Sequence, residues 1–181
     1  MLLTPFSFSA PAAPQPAAPG GQAYAFSYAC AAAILAADQC TKYLVHEFTP
    51  YGWVHPVTAF FNLVHARNFG AAFSFLADAG GWQRYLFGLL ALAVAAWLAW
   101  MLRKPLPWPE RVAYVLILGG ALGNGLDRAL RGYVVDFLDF HARGWHWPAF
   151  NVADMAIVGG AALLVWTAWA RPPAPDAGAQ P

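Results

Sequence analysis

The sequence predicts a membrane all-α protein of four transmembrane helices, with a small surface sheet and a short interfacial helix. Two observations carry this. Of the 181 residues, 60% are hydrophobic and only 10% charged, where a soluble domain has about 25% charged residues. Four runs are also close to the roughly 20 apolar residues needed to cross a bilayer. The polar residues that remain gather at the ends of those runs.

The first 22 residues, rich in Pro and Ala and free of Lys and Arg, read as a disordered tail. A secretory signal would need a basic start and an apolar run of about 7–15 residues. The membrane domain is expected over 23–170, with a second disordered tail at 171–181. The spans are expected at roughly 24–44, 82–102, 112–130 and 151–170. The first carries both cysteines, Cys30 and Cys40, which form no CxxC pair and read as apolar packing. The second, WQRYLFGLLALAVAAWLAWML, is charged only at its start. The linker RKPLPWPER is short and broken by proline, so spans two and three form a hairpin. The loop at 45–81, with WVHPVTAFFNLVHARN, suits a small sheet on the membrane surface. The loop at 131–150, with DFLDFHARGWHWP, suits a short interfacial helix.

Four spans place both tails and the linker at 103–111 on one side. Asp38, Lys42, Arg67, Asn68, Asn124, Asp127, Arg128, Asp136, Asn151 and Asp154 then all fall at the opposite face. Arg103, Lys104, Arg111 and Arg171 favour a cytoplasmic location for the tails. The other side carries six basic residues, which opposes that assignment by bare count, although several can pair with nearby acids. Both termini are read as cytoplasmic.

Asp38 and Lys42 are four apart and share a helix face, as an ion pair would. Asn124 and Asp127 are three apart, and Asn151 and Asp154 repeat that spacing. A helix cap alone accounts for Asn151 and fits Asp154. It does not account for Asp127, Asp136 and Asp154 converging at one end of a small bundle. Two carboxylates held close cannot both ionise easily, so one keeps a proton while the other acts as base. Such a pair activates water and protonates a leaving amine without a metal or covalent intermediate. Spacing does not decide which two of the three acids form it.

Other chemistries fit less well. None of the four serines sits beside a lysine or histidine in a dyad pattern. His46-Glu47 lacks the second histidine of a zinc helix, and the five histidines read as polar loop residues rather than ligands. GGALGNG reads as close helix packing, not phosphate binding. No metal or cofactor is expected, and a net charge of +1 suggests no nucleic-acid partner. A small transporter or proton channel would place polar residues through the bilayer depth. A structural assembly factor would use them as packing glue.

The blocks DQCTK, NLVHARNFGAAFSFLA, GGALGNGLDR, VVDFLDF and PAFNVADMAI, in this order on four spans, resemble lipoprotein signal peptidase (signal peptidase II). The resemblance covers nearly the whole chain between the tails. It implies an aspartyl endopeptidase of the bacterial inner membrane, with its active site near the extracytoplasmic face. The implied substrate is a diacylglyceryl-modified prolipoprotein, cut just before the lipidated cysteine. The matching positions imply Asp136 and Asp154 as the catalytic pair. They imply supporting or substrate-holding roles for Asn68, Asn124, Asn151, Asp127, Arg128, Asp38 and Lys42. The loop at 45–81 resembles the family's extracytoplasmic β-cradle, and the segment after Asp136 its interfacial helix. Membrane lipid is the other implied partner.

Overall fold

The computed structural model describes residues 21–70, 76 and 79–170. The two expected tails therefore fall almost wholly outside the described residues. Helix α1 spans Gly21–Phe48, followed by strands β1, Val54–Thr58, and β2, Phe61–Asn68. Helices α2, Gln83–Met101, and α3, Trp108–Leu130, form a hairpin across the proline-broken linker. Strands β3, Val134–Ala142, and β4, Trp145–His146, precede the last helix, α4, Val152–Trp169. All four helices lie where the apolar runs predict them, with α1 starting two residues inside the expected N-terminal tail.

Helices α2 and α4 are long and apolar enough to cross a membrane. Their outward faces are apolar too: Leu89 is 66% exposed, Leu92 62% and Val165 70%. Such surface is costly in water and stable against hydrocarbon. Among the helices, α1 and α3 carry the buried charges, Asp38, Lys42, Arg111 and Asp127.

Helix α3 packs against each of the other three helices. It can do so because GGALGNG gives it a face with almost no side chains. A Cβ on Gly120 would lie 2.4 Å from the Ala153 carbonyl oxygen of α4, and one on Gly123 2.5 Å from Asp38 Oδ2 of α1. The glycines thus serve close packing, as the sequence suggests. An apolar core of Ala31, Ala95, Leu98, Leu102, Val115 and Leu118 fills the space between α1, α2 and α3, with Cys30 packed against it. Cys40 is exposed.

The four strands form one antiparallel sheet in the order β1-β2-β3-β4. The sheet expected in the loop at 45–81 is present as β1 and β2. The interfacial helix expected over 131–150 is not: that stretch is β3 and β4. Asp136 and Asp139 are three apart, which looks helical, but the segment also has the β-branched pair Val134-Val135. Pairing with β2 decides the outcome. The register sets Phe61 opposite Phe140, Ala66 opposite Asp136 and Asn68 opposite Val134. The all-α expectation is corrected accordingly: the fold is helix-rich with a small antiparallel sheet. The histidines are corrected as well. His46 lies in α1 and His55, His65, His141 and His146 lie in the four strands, not in loops.

Candidate active site

One end of the helical bundle, closed by the sheet, holds a continuous network of polar side chains. It has two parts. The first surrounds Lys42, which is fully buried with Asp38 and Asp127. Its Nζ lies 2.8 Å from Asp38 Oδ2 and 3.1 Å from Asp127 Oδ2, and donates to Asn124 Oδ1 at 2.8 Å. The expected Asp38–Lys42 pair is thus present, one turn apart on α1, and Asp127 joins it from α3. Arg131 pairs with the other oxygen of Asp127. Gln39 donates to Asp38, to Asp127 and to the Gly123 carbonyl. The Val135 backbone N–H donates to Asp127 Oδ2 at 3.1 Å, tying the start of β3 to α3. Every oxygen of Asp127 therefore has a charged or backbone partner.

The second part surrounds Asp136 and Asp154. Asn68 sits diagonally opposite Asp136 on the same face of the sheet, and its Nδ2 donates to Asp136 Oδ2 at 3.1 Å. Asn151 Nδ2 donates to Asp136 Oδ1 at 2.6 Å. Asn151 is also the N-cap of α4. Its Oδ1 accepts from the Asp154 N–H at 3.0 Å, and Asp154 Oδ2 accepts from the Asn151 N–H at 3.2 Å. This reciprocal capping box fixes Asp154 at the mouth of its helix. Asn124 Nδ2 holds the other Asp154 oxygen at 2.7 Å. The cap reading of Asn151 and Asp154 is correct, and the cap is also part of the site. Asp38 Oδ1 accepts from the Ala153 N–H at 2.8 Å, so a second free donor at the start of α4 is satisfied by α1.

Asp136 differs from Asp127 in having no cation in direct contact among the described residues. Its burial, and after that the negative charge of Asp154, raise its pKa to about 7. The hydrogen bonds from Asn151 and Asn68 act the other way without restoring an ordinary value. A carboxyl that holds its proton near neutrality thus stands beside a second acid.

Arg128 bonds to backbone carbonyls rather than to either acid, although the charges of both act on it. It donates to the Gly70 carbonyl at 2.8 Å and to the Asn124 carbonyl at 3.2 Å, tying the end of β2 to α3. All nine predicted site residues are therefore in one connected region. Sequence reasoning missed Gln39 and Arg131. Arg131 follows Asp127 by one helical turn, a spacing that could have revealed it.

The sequence profile of the signal peptidase (SPase) II family matches residues 30–170. The chain belongs to this family. It is accordingly a protease of the signal peptidase II type. It is 53% identical over 132 residues to a lipoprotein signal peptidase of Serratia marcescens, covering 73% of this chain and 78% of the relative. It is 56% identical over 129 residues to a lipoprotein signal peptidase of Ralstonia nicotianae, covering 71% and 75%. A solved bacterial membrane enzyme superposes with a TM-score of 0.72 at 31% identity, covering 80% of this chain and 88% of that one. The signal peptidase II match spans every residue of the polar network.

Proposed function

We propose that this protease removes signal peptides from diacylglyceryl-modified bacterial prolipoproteins, cutting just before the lipidated cysteine, with Asp136 and Asp154 as a water-activating dyad. The observation that carries the dyad is the Asn151 side chain. It binds Asp136 with its amide nitrogen and the Asp154 backbone with its oxygen, so the two acids share one orienting group.

The pair holds one proton near neutral pH, and Asp136 is suited to carry it. The ionised partner takes a proton from water, and the water oxygen bonds to the scissile carbonyl carbon. The protonated partner donates to the carbonyl oxygen. Collapse of the tetrahedral intermediate breaks the C–N bond as a proton passes to the leaving amine. The products are the signal-peptide carboxylate and a free N-terminal cysteine. The amides of Asn68, Asn124 and Asn151 keep both acids aimed through these steps.

The substrate's own shape supports a four-span arrangement in the inner membrane, both termini cytoplasmic and the acids near the extracytoplasmic face. An apolar signal-peptide helix enters sideways from lipid, its diacylglyceryl chains stay in lipid, and the bond to be cut lies at the interface with water.

The test is cleavage of a diacylglyceryl-modified precursor by purified protein in lipid–detergent micelles, read as a size shift. Asp136→Asn and Asp154→Asn are each expected to lose about 10³-fold or more in kcat/KM while melting as cooperatively as wild type. The unlipidated precursor should remain uncut. Full activity in either folded variant sinks the dyad.

A further inference from the structure

A second concave region lies between α2 and α3. It is a groove of about 600 Å³, within the usual range for small amphiphile sites. Its body is apolar, with Gly88, Leu92 and Leu126 along it, and three arginines, Arg84, Arg128 and Arg131, line it as well. No carboxylate lines it among the described residues, and neither Asp136 nor Asp154 reaches it.

The three cations are not equivalent. Arg131 is neutralised by Asp127. Arg128 is bound to two carbonyls, its Nε is buried without a partner, and it pairs with no carboxylate among the described residues. Arg84 is exposed; its guanidinium lies 4.5 Å from the centre of the Tyr85 ring and donates to the Tyr85 hydroxyl. It too has no carboxylate partner among the described residues. Arg84 therefore leaves positive charge without a carboxylate partner among the described residues at one end of an apolar trough, and Arg128 adds a guanidinium that no described carboxylate touches, although Asp154, Asp136 and Asp127 act on it from a distance. That end is the one that holds the polar network, which the membrane arrangement proposed above sets at headgroup depth.

We propose that this groove binds one anionic glycerophospholipid. An acyl chain lies along Gly88, Leu92 and Leu126, and the phosphate sits against Arg84 and Arg128. Basic pockets between membrane helices recognise headgroups through this combination of charge and apolar depth. Gly88 supplies the depth: a Cβ there would meet nothing within 4 Å, so the space beside it is open.

The test is native mass spectrometry of the purified full chain, released from detergent after addition of phosphatidylglycerol or phosphatidylcholine. Wild type is expected to retain one phosphatidylglycerol at least fivefold more than phosphatidylcholine. Arg84→Gln should erase that preference. Gly88→Leu, whose Cβ would meet nothing within 4 Å, should lower retention of both lipids. An excess of glycerol phosphate should not displace the bound lipid. Equal retention of the two lipids by wild type overturns the proposal, as does unchanged preference in Arg84→Gln, whose exposed position leaves folding intact. Displacement by glycerol phosphate alone would reduce the site to a free-phosphate site and overturn the acyl part. A raised KM for the precursor in Gly88→Leu with unchanged lipid retention would assign the trough to the signal peptide instead.

Discussion

Asp127 and Asp136 are both buried carboxylates at the same end of the bundle, and they are held in opposite ways. Asp127 is 0% exposed and lies between two cations, Lys42 and Arg131, with a backbone N–H as a further donor. Asp136 is 3% exposed and, among the described residues, receives two neutral side-chain amides, from Asn68 and Asn151. A carboxylate between cations serves as structure, holding the helices that carry them. A carboxyl held by amides beside another acid can gain and lose a proton, because neither state is strongly favoured. The difference separates the part of the network that holds the bundle together from the part that is free to do chemistry.

The largest effect that would break this comparison is on activity. Asp127→Asn should lower stability while the folded fraction keeps cleaving, whereas Asp136→Asn should do the reverse. Melting curves and cleavage rates on the same samples decide it. If Asp127→Asn melts like wild type yet cleaves nothing, and Asp136→Asn cleaves normally, the two acids have been assigned the wrong way round.

Stability should show the next largest effect. Lys42→Met leaves Asp38 short of its cation and Asp127 with one cation instead of two, which should cost about 3–5 kcal/mol. Thermal unfolding in detergent should show a lower, less cooperative transition. An unchanged transition would mean that the buried charges contribute little to holding α1 against α3.

Asn151→Ala should come third. Loss of an N-cap costs about 0.5–2 kcal/mol, and here the same change also frees Asp136 from its shorter hydrogen bond. A modest fall in melting temperature with a much larger fall in kcat is expected. If both fall only modestly, Asn151 is a cap and nothing more.

The smallest effect is a pH shift. Asp136 loses its proton as the pH rises through about 7, leaving two anions and no acid, so kcat/KM should fall on the alkaline side near that value. The Asn68 bond lowers the Asp136 pKa. Asn68→Ala removes it and should move the alkaline limb to higher pH. Movement to lower pH would show that Asn68 stabilises the protonated form instead.

The helices were legible because length and apolarity are local properties. The gathering of polar residues at one face was legible because four spans leave few ways to arrange their ends. The choice between Asp127 and Asp136 was not, because it depends on partners far away in the chain. Lys42 reaches Asp127 from another helix, and Asn68 reaches Asp136 across a strand pairing. The same non-local pairing turned DFLDF from an expected helix into a strand. A two-stranded register between residues 61–68 and 134–140 has no signature in either segment alone. The glycines of GGALGNG were legible as packing, but not which backbone each admits. The trough beside α2 was invisible, since Gly88 reads as an ordinary interruption in an apolar run.

The turn from β3 into α4 carries a consequence for the order of events during synthesis. Asn151 lies 15 residues after Asp136, and Asp154 three residues later still. A growing chain that has made α1 to α3 already has Lys42 with Asp38 and Asp127, so its bundle can hold together. It has no second acid beside Asp136, and of the two amides that hold Asp136 it has only Asn68. Only when the last helix docks, with Ala153 bonded to Asp38, do the two acids meet. On the proposed dyad, the hydrolytic centre is assembled only by completion of the fold, and an unfinished chain would leave signal peptides uncut.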